Sequence, residues 1–404
     1  MTATPVRHHA APDGLVAAVL LSFLATAGIF YINIMPALVS GLVDGLGFSA
    51  RDAGLVGSAN VYGAAFGALA ITFAVARLQW RRTAIALLVL LIAVDLVSRF
   101  VITPWPLIAL RAAHGFIGGM LVGVAFAVIA RTRAPDRVFG VLLLVQFGLG
   151  GLGVMTLPRL VPDFGHGVLF MALVAFSAVT LAMVPFLADY PPRGVPAASA
   201  SAAASTDASA AAAPAGRIAS RPQFALALLA LFLFQASNMG LFSYILELGK
   251  DAGLAASFVA SAVGAATWVG TAGCLLVIVI GTRFGRAPPL AIALAVTVVG
   301  LWGLHYAGNA TVFVLANCVT GITWSLVMPY LLGLSAAFDT TGRAAALGGF
   351  ASKMGLASGP LLGALMLGDG NYALLINLSC LGILACAAAA LLPARVLDRR
   401  LKSA

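Results

Sequence analysis

The chain has 404 residues, 62% of them hydrophobic and only 9% charged, and its mean hydropathy is +1.06. Such a composition lies outside the soluble globular range, excludes a water-soluble enzyme or binding domain, and leaves a polytopic membrane protein. The net charge of +10 would suggest nucleic acid in a soluble domain, but in a membrane chain what matters is where the cations sit.

Runs of roughly twenty apolar residues, long enough to cross a ~30 Å hydrocarbon core, fall near 14–43, 52–76, 83–103, 104–130, 138–162 and 165–187. A second set falls near 223–249, 253–281, 289–308, 309–337, 344–368 and 370–394. The expected fold is an all-α membrane protein of twelve transmembrane helices in two six-helix bundles, at 1–187 and 223–404. The first run is longer than a signal-peptide core and has no convincing cleavage site, so it reads as a retained span. Residues 188–222 change character: Pro191, Pro192, Pro196 and Pro214 enclose an Ala/Ser tract, which predicts a flexible cytoplasmic linker.

Placing the N-terminus inside puts 17 of the 23 Lys and Arg on one side, including Arg77, Arg81, Arg82, Arg131, Arg133, Arg137, Arg283, Arg286 and Arg343. That bias predicts a bacterial-type inner membrane protein with both termini cytoplasmic. Cys274, Cys318, Cys380 and Cys386 lie in apolar runs without metal-ligand spacing and read as packing residues. No nucleotide loop, zinc pattern or hydrolase elbow stands where it could work. The chain is therefore read as no enzyme, with no cofactor and no metal, driven by a gradient.

The stretch from Pro104 to Arg131 carries Arg111 and His114 inside a span, with Gly115, Gly119 and Gly123 spaced four apart. An arginine near a bilayer centre costs roughly 2.5 to 3.5 kcal/mol on insertion scales, so it needs a partner or a ligand. The glycines let a second helix approach closely. One shift, 206 residues, relates the two halves: Arg77 to Arg283, Gly67 to Gly273, Arg111 to Asn317, His114 to Thr320, Gly115 to Gly321, and Arg137 to Arg343. Both halves keep the same orientation, which is the parallel repeat of one large class of secondary transporters.

These residues resemble the major facilitator superfamily over essentially the whole chain. Leu46-Gly47-Phe48-Ser49 through Asp52-Ala53-Gly54-Leu55 to Gly63 and Gly67 look like that family's first loop and second span, with Ser49 and Asp52 a plausible capping pair. The loop signature between the second and third spans is similar to Arg77-Leu78-Gln79-Trp80-Arg81-Arg82, and its repeat to Arg283-Phe284-Gly285-Arg286. The resemblance makes Arg77, Arg81, Arg283 and Arg286 gating-loop residues, although both copies lack the acidic member of the family's cytoplasmic latch. Leu107, Arg111, His114 and Gly115 resemble the fourth-span pattern, with histidine where glutamine is usual, and the resemblance ties Arg111 to proton coupling. The fifth span has Gln146, Gly148, Gly150, Gly151 and Gly153 but no Gly-Pro bend, and Gly359-Pro360 lies in the eleventh. Met35-Pro36 followed by Asp44, Gly47 and Ser49 looks most like the drug and sugar efflux branch.

Arg111 lies about 10 Å along its helix from Pro104. It either pairs structurally or meets an anion in a water-filled cavity, and the cavity is the expectation. His114, on nearly the same face, is either a packing histidine or a proton-responsive one. Lys353 is about 14 Å past Ala344, near mid-membrane, and is expected to point into a cavity. Asp95 and Arg99, four apart, are expected to pair on one helix, the alternative making Asp95 a proton acceptor. Glu247, beside Lys250 and Asp251, reads as an end cluster or a proton site. The resemblance adds Tyr31, Asn33, Gln235, Asn238, Tyr244 and Trp324 as cavity-lining residues, and the repeat adds Gln146, which answers Lys353 with one residue of slippage.

The expected activity is proton-coupled, alternating-access transport of a small polar or anionic organic solute or drug-like metabolite, in a lipid bilayer, without nucleic acid, by a monomer. Efflux is favoured, uptake of a small organic acid is the alternative, and a non-transporting receptor or assembly factor is the rival of another class.

Overall fold

The computed structural model describes residues 9–190, 221–281, 283–338, 343–367 and 370–403, with side chains other than those at 76, 136, 221, 343–346 and 400–403. The linker expected at 188–222 lies almost wholly outside them. The N-terminal half contains α1 (Leu15–Ala27), α2 (Phe30–Asn33), α3 (Met35–Leu46), α4 (Ala50–Thr72), α5 (Trp80–Ser98), α6 (Pro104–Ile129), α7 (Pro135–Phe164) and α8 (Gly167–Met183). The C-terminal half contains α9 (Arg221–Ser243), α10 (Ile245–Asp251), α11 (Ala256–Val269), α12 (Ala272–Ile280), α13 (Ala287–Gly303), α14 (Ala310–Ala336), α15 (Arg343–Met366) and α16 (Tyr372–Ser403).

Local chemistry sets several of these ends. Ser49 Oγ accepts the Asp52 N–H at 3.0 Å and starts α4, as the capping pair predicts. Gly47, at φ 66°, supplies the left-handed residue that ends α3. Asn309 accepts the N–H groups of Thr311 and Val312 to open α14.

Among the described residues, nine helical segments are long and apolar enough to cross a membrane. Three of the twelve expected spans fall short of that measure. The first is interrupted at Gly28 and Ile34, the third carries Arg81, Arg82 and Asp95, and the eleventh is diluted by glycines and Lys353. Val89, Leu90, Phe100, Ile278, Ile292 and Val299 are exposed, the outward apolar surface expected of helices solvated by lipid tails.

The closest helix pair is α4 with α6. A Cβ on Gly63 would strike the Ala112 carbonyl oxygen, one on Gly67 that of Phe116, one on Gly115 that of Asn60 and one on Gly119 that of Ala64. Glycines from both helices thus let two backbones meet without side chains between them. The halves meet along α4 with α15 and α7 with α11. Ser58 Oγ donates to the Ala357 carbonyl at 2.7 Å, and Tyr62 Oη lies 2.7 Å from Ser358 Oγ. The 206-residue shift carries Ser58 onto Gly264 and Tyr62 onto Trp268. Gly264 packs against Gly151, and Trp268 Nε1 donates to the Gly148 carbonyl at 3.0 Å. The interface is therefore built twice from the same repeat positions.

Because the α4–α6 contact is backbone against backbone, Gly115→Ala should cost about 1 to 3 kcal/mol of overpacking. A lowered melting temperature of the detergent-solubilised protein would show it.

Candidate functional site

A cavity of about 490 Å³ lies between the halves, lined by α2, α4, α6 and α7 on one side and by α9, α11, α12, α14 and α15 on the other. Its lining extends to the ends of α4, α6 and α14 and to the starts of α7 and α15, the end of the bundle that bears the arginine-rich loops. Asn33, Gln146, Gln235, Asn238 and Trp324 line it, as does Lys353. Trp324 Nε1 donates to Gln235 Oε1 at 3.0 Å, and Gln235 Nε2 donates to Ser352 Oγ at 2.9 Å. This pins three polar side chains to one wall, with Phe147 edge-on to Trp324 at 6.0 Å. Asn33 Nδ2 reaches the Gln146 backbone carbonyl at 3.5 Å, so the Gln146 amide is left for the cavity.

Lys353 sits ten residues into α15, about 15 Å along it. Among the described residues none bonds or pairs with its ammonium, and no Asp, Glu, Arg or His lines the cavity beside it. The remaining lining is largely apolar, with the hydroxyls and amides of Thr267, Asn317 and Thr320.

Arg111 is placed differently from the expectation of a cavity-facing cation. It is fully buried, and it donates through Nη1 to Asp95 Oδ1 at 2.7 Å and through Nη2 to Ser98 Oγ at 2.5 Å. The rings of Phe170 and Tyr31 lie 5.1 and 5.9 Å from its guanidinium carbon. Asp95 therefore does not pair with Arg99, which turns toward Met171 and Phe100 instead. The cause is burial: an ion pair between α5 and α6 removes both charges from lipid, whereas the i, i+4 pair would leave Arg111 unmatched.

His114 completes this cluster. Its Nε2 approaches Asp95 Oδ2 at 3.3 Å, and its Nδ1 lies 2.7 Å from Asn60 Nδ2. Asn60 Nδ2 also donates to the Arg111 backbone carbonyl at 3.2 Å, which fixes the amide with its NH2 toward the ring. Nδ1 must then accept, so the imidazole is the neutral Nε2–H tautomer. Protonating it would require Asn60 to flip and abandon the Arg111 carbonyl. Tyr31 packs on this cluster and does not line the cavity; nor does Tyr244, whose hydroxyl donates to the Pro360 carbonyl at 2.9 Å.

The two ends of the bundle differ. At the end opposite the arginine loops, Lys250 Nζ of α10 lies 2.8 Å from both Asp44 oxygens of α3, 3.1 Å from Ser40 Oγ and 2.6 Å from Glu247 Oε1. Glu247 is thus buried in an ion cluster that joins the halves and is not an isolated solvated end. Burial opposes the Lys250 charge, but Asp44 and Glu247 outweigh it and hold the ammonium above the usual lysine range. Beside it, Arg159 of α7 donates to the Ser257 carbonyl at 3.0 Å and to the Ser261 hydroxyl of α11.

At the arginine end, among the described residues, the bonds of Arg81 and Arg286 stay within their own halves. Arg81 pairs with Asp189 at 3.1 Å and donates to the Leu187 carbonyl. Asp398 of α16 accepts the N–H groups of Arg286 and Ala287 at 2.8 and 2.9 Å, and Arg286 donates to the Gly333 carbonyl. Arg77 and Arg283 are exposed. The acid missing from each loop signature is supplied from the end of the same half. Sequence spacing could not find this, since Arg81 and Asp189 are far apart in the chain.

Sequence reasoning also missed Asn317, Thr320, Thr267, Ser352, Phe147 and Phe350 in the lining. The repeat carried a signal: the 206-residue shift takes Asp95, Arg111 and His114 to Leu301, Asn317 and Thr320, all of which line the cavity. The space filled by ions in one half is open in the other.

A two-halved helical bundle, closed at one end and cavitied between its halves, is a membrane transporter by architecture. The chain belongs to the Major Facilitator Superfamily, whose family model matches residues 18–350. It is a secondary transporter and not an enzyme. Its backbone is similar to a crystal structure of the nucleoside transporter NupG, with a TM-score of 0.69, 14% identity, and coverage of 93% of this chain and 98% of that one. No curated protein sequence matches it.

Removing one member of a buried ion pair strands the other, so Arg111→Ala should destabilise by about 3 to 5 kcal/mol, and adding Asp95→Ala should restore part of the loss. Thermal unfolding in detergent reads both. Losing the cross-half bonds of Lys250, about 1.5 kcal/mol for a charge-assisted set, shifts the closed end about tenfold toward opening. In Lys250→Ala, labelling of a Ser58→Cys reporter by an impermeant maleimide should rise by that factor.

Proposed function

We propose that the protein carries an amphipathic organic anion, small enough for the central cavity, by alternating access, with protons as the coupling ion. The observation that carries this is Lys353, the one charged group among the described lining residues, set in largely apolar walls without a protein counter-charge. An ammonium in that place is stabilised by a single negative charge, while the Gln235–Trp324–Ser352 wall and the Gln146 amide suit further polar atoms of the solute. Two or more negative charges would find no second cation. Polar lining of this kind also speaks against a receptor that kept the fold and lost transport.

With the arginine loops on the cytoplasmic side, as the positive-inside bias supports, the cavity faces the cytoplasm and the Asp44–Lys250–Glu247 cluster closes the outer mouth. The halves at 1–187 and 223–404 would rock about the doubled α4–α15 and α7–α11 contacts. The monomer contains the whole pathway, and the linker at 188–222 would tether the halves.

A second reading is an uncharged polar solute such as a nucleoside. The NupG likeness and the amides of Asn33, Gln146, Gln235, Asn238 and Asn317 favour it.

Binding separates the two. 1-Naphthalenesulfonate, an anion at any working pH, should raise the melting temperature of the purified protein, and Lys353→Gln should weaken its affinity about tenfold or more, the worth of one charge-assisted bond. Stabilisation by uridine that Lys353→Gln leaves unchanged, with none by the sulfonate, rejects the anion in favour of the second reading.

A further inference from the structure

The anion reading leaves open where the coupling proton sits, and the inference that follows rests on that reading. The obvious place, the Asp95–Arg111–His114 cluster, is sealed: Arg111 and Asp95 are fully buried, none of the three lines the cavity, and Asn60 holds the histidine neutral. Using it would break several bonds at once, and nothing in the lining connects it to a passing solute.

Lys353 stands at the opposite extreme. Among the described residues, the elements packed against α15 bring it no compensating acid. Between Pro222 and Ser243, α9 has no titratable side chain. On α4, Arg51 and Asp52 sit at the closed end of the bundle, and Tyr62 bonds to Ser358. On α14 are Cys318 and Tyr330, the latter donating to the Gly281 carbonyl. On α16 are Tyr372, Cys380 and Cys386, then a charged tail from Arg395 in which Asp398 is engaged by the Arg286 and Ala287 N–H groups. Across the cavity the titratable lining group is the Cys274 thiol.

An ammonium so placed can be carried through the occluded, water-poor stage of alternating access in two ways only. It crosses as an ion pair with a bound anion, or it gives its proton to water and crosses neutral. A bare cation would have to be buried with nothing opposite it.

We propose that Lys353 is both the anion site and the proton carrier, making the protein an electroneutral one-proton, one-anion symporter. On the loading side Nζ binds one proton, and the resulting ammonium binds one anion. The pair crosses, the anion leaves, Nζ passes its proton to water, and the neutral amine returns. Each cycle moves one proton and one negative charge in the same direction, so no net charge crosses. An inward proton gradient then drives uptake of the anion. This selects the uptake of an organic acid over efflux.

The chemical lever is that an arginine keeps the positive charge and the anion contact but cannot give up its proton. The full chain in proteoliposomes, with 1-naphthalenesulfonate as probe, separates two activities: net uptake into empty vesicles, and exchange of external for internal probe. For the wild-type chain, net uptake should be driven by an inside-alkaline pH gradient, should acidify the lumen, and should ignore an imposed membrane potential. Lys353→Arg should keep exchange within about threefold of wild type while net uptake falls by about tenfold or more. Lys353→Gln should lose both, and His114→Gln should keep proton-linked uptake.

Each other result decides the matter as well. Proton-linked net uptake by Lys353→Arg, uptake driven by potential, or loss of proton linkage with exchange intact in His114→Gln overturns the assignment. Wild-type exchange without net uptake overturns this inference and leaves the anion reading standing; neither activity in the wild-type chain overturns both. Loss of exchange as well, in a Lys353→Arg chain that keeps the wild-type melting temperature, overturns the assignment.

Discussion

A positive charge at mid-membrane depth needs something negative beside it, and this chain answers that need in two different ways. Arg111 is given Asp95, Ser98 and two aromatic faces within its own half, and becomes a permanent strut between α5 and α6. Lys353 is given a cavity. The choice of residue fits each place: a guanidinium cannot be neutralised and offers a fork that a carboxylate and a hydroxyl can fill together, whereas an ammonium is a compact charge that sheds its proton under burial.

The repeat explains how one protein holds both solutions. Shifted by 206 residues, the charged cluster of α5 and α6 becomes Leu301, Asn317 and Thr320, and the room vacated there belongs to the cavity. The interface between the halves keeps its symmetry where the cavity does not. Ser58 with Ala357 and Gly264 with Gly151 are the same contact made twice, each a close approach of a helix from one half to the backbone of the other. The contacts between the halves thus repeat around a site that does not, so the shared framework leaves the chemistry to differ between the halves.

The closed end is held differently again. Lys250 draws Asp44 and Glu247 together across the halves at the rim, where water still shares the cost of the charges. At the arginine end the bonds of Arg81 and Arg286 among the described residues stay within each half, so those contacts brace each bundle.

Composition and apolar run length sufficed to read a helical membrane protein from the sequence alone, and the 206-residue shift marked positions that meet again in the two contacts between the halves. The reason is that lipid acts on every residue of a span independently, so its imprint is local. The Ser49–Asp52 cap and the close packing at Gly115 and Gly119 were legible for the same reason, each depending on residues one or two turns apart. Which cation faces the cavity was not legible. Arg111 and Lys353 have similar surroundings in the sequence, and Asp95 has a nearer candidate partner in Arg99. Only the packing of α5 on α6, which brings Asp95 to Arg111, and of α15 on α4 and α9, which brings no acid to Lys353, settled which charge is buried for good. The acids Asp189, which pairs with Arg81, and Asp398, which accepts the Arg286 and Ala287 N–H groups, were hidden likewise, because such contacts depend on distance in space and leave no periodic trace along the chain.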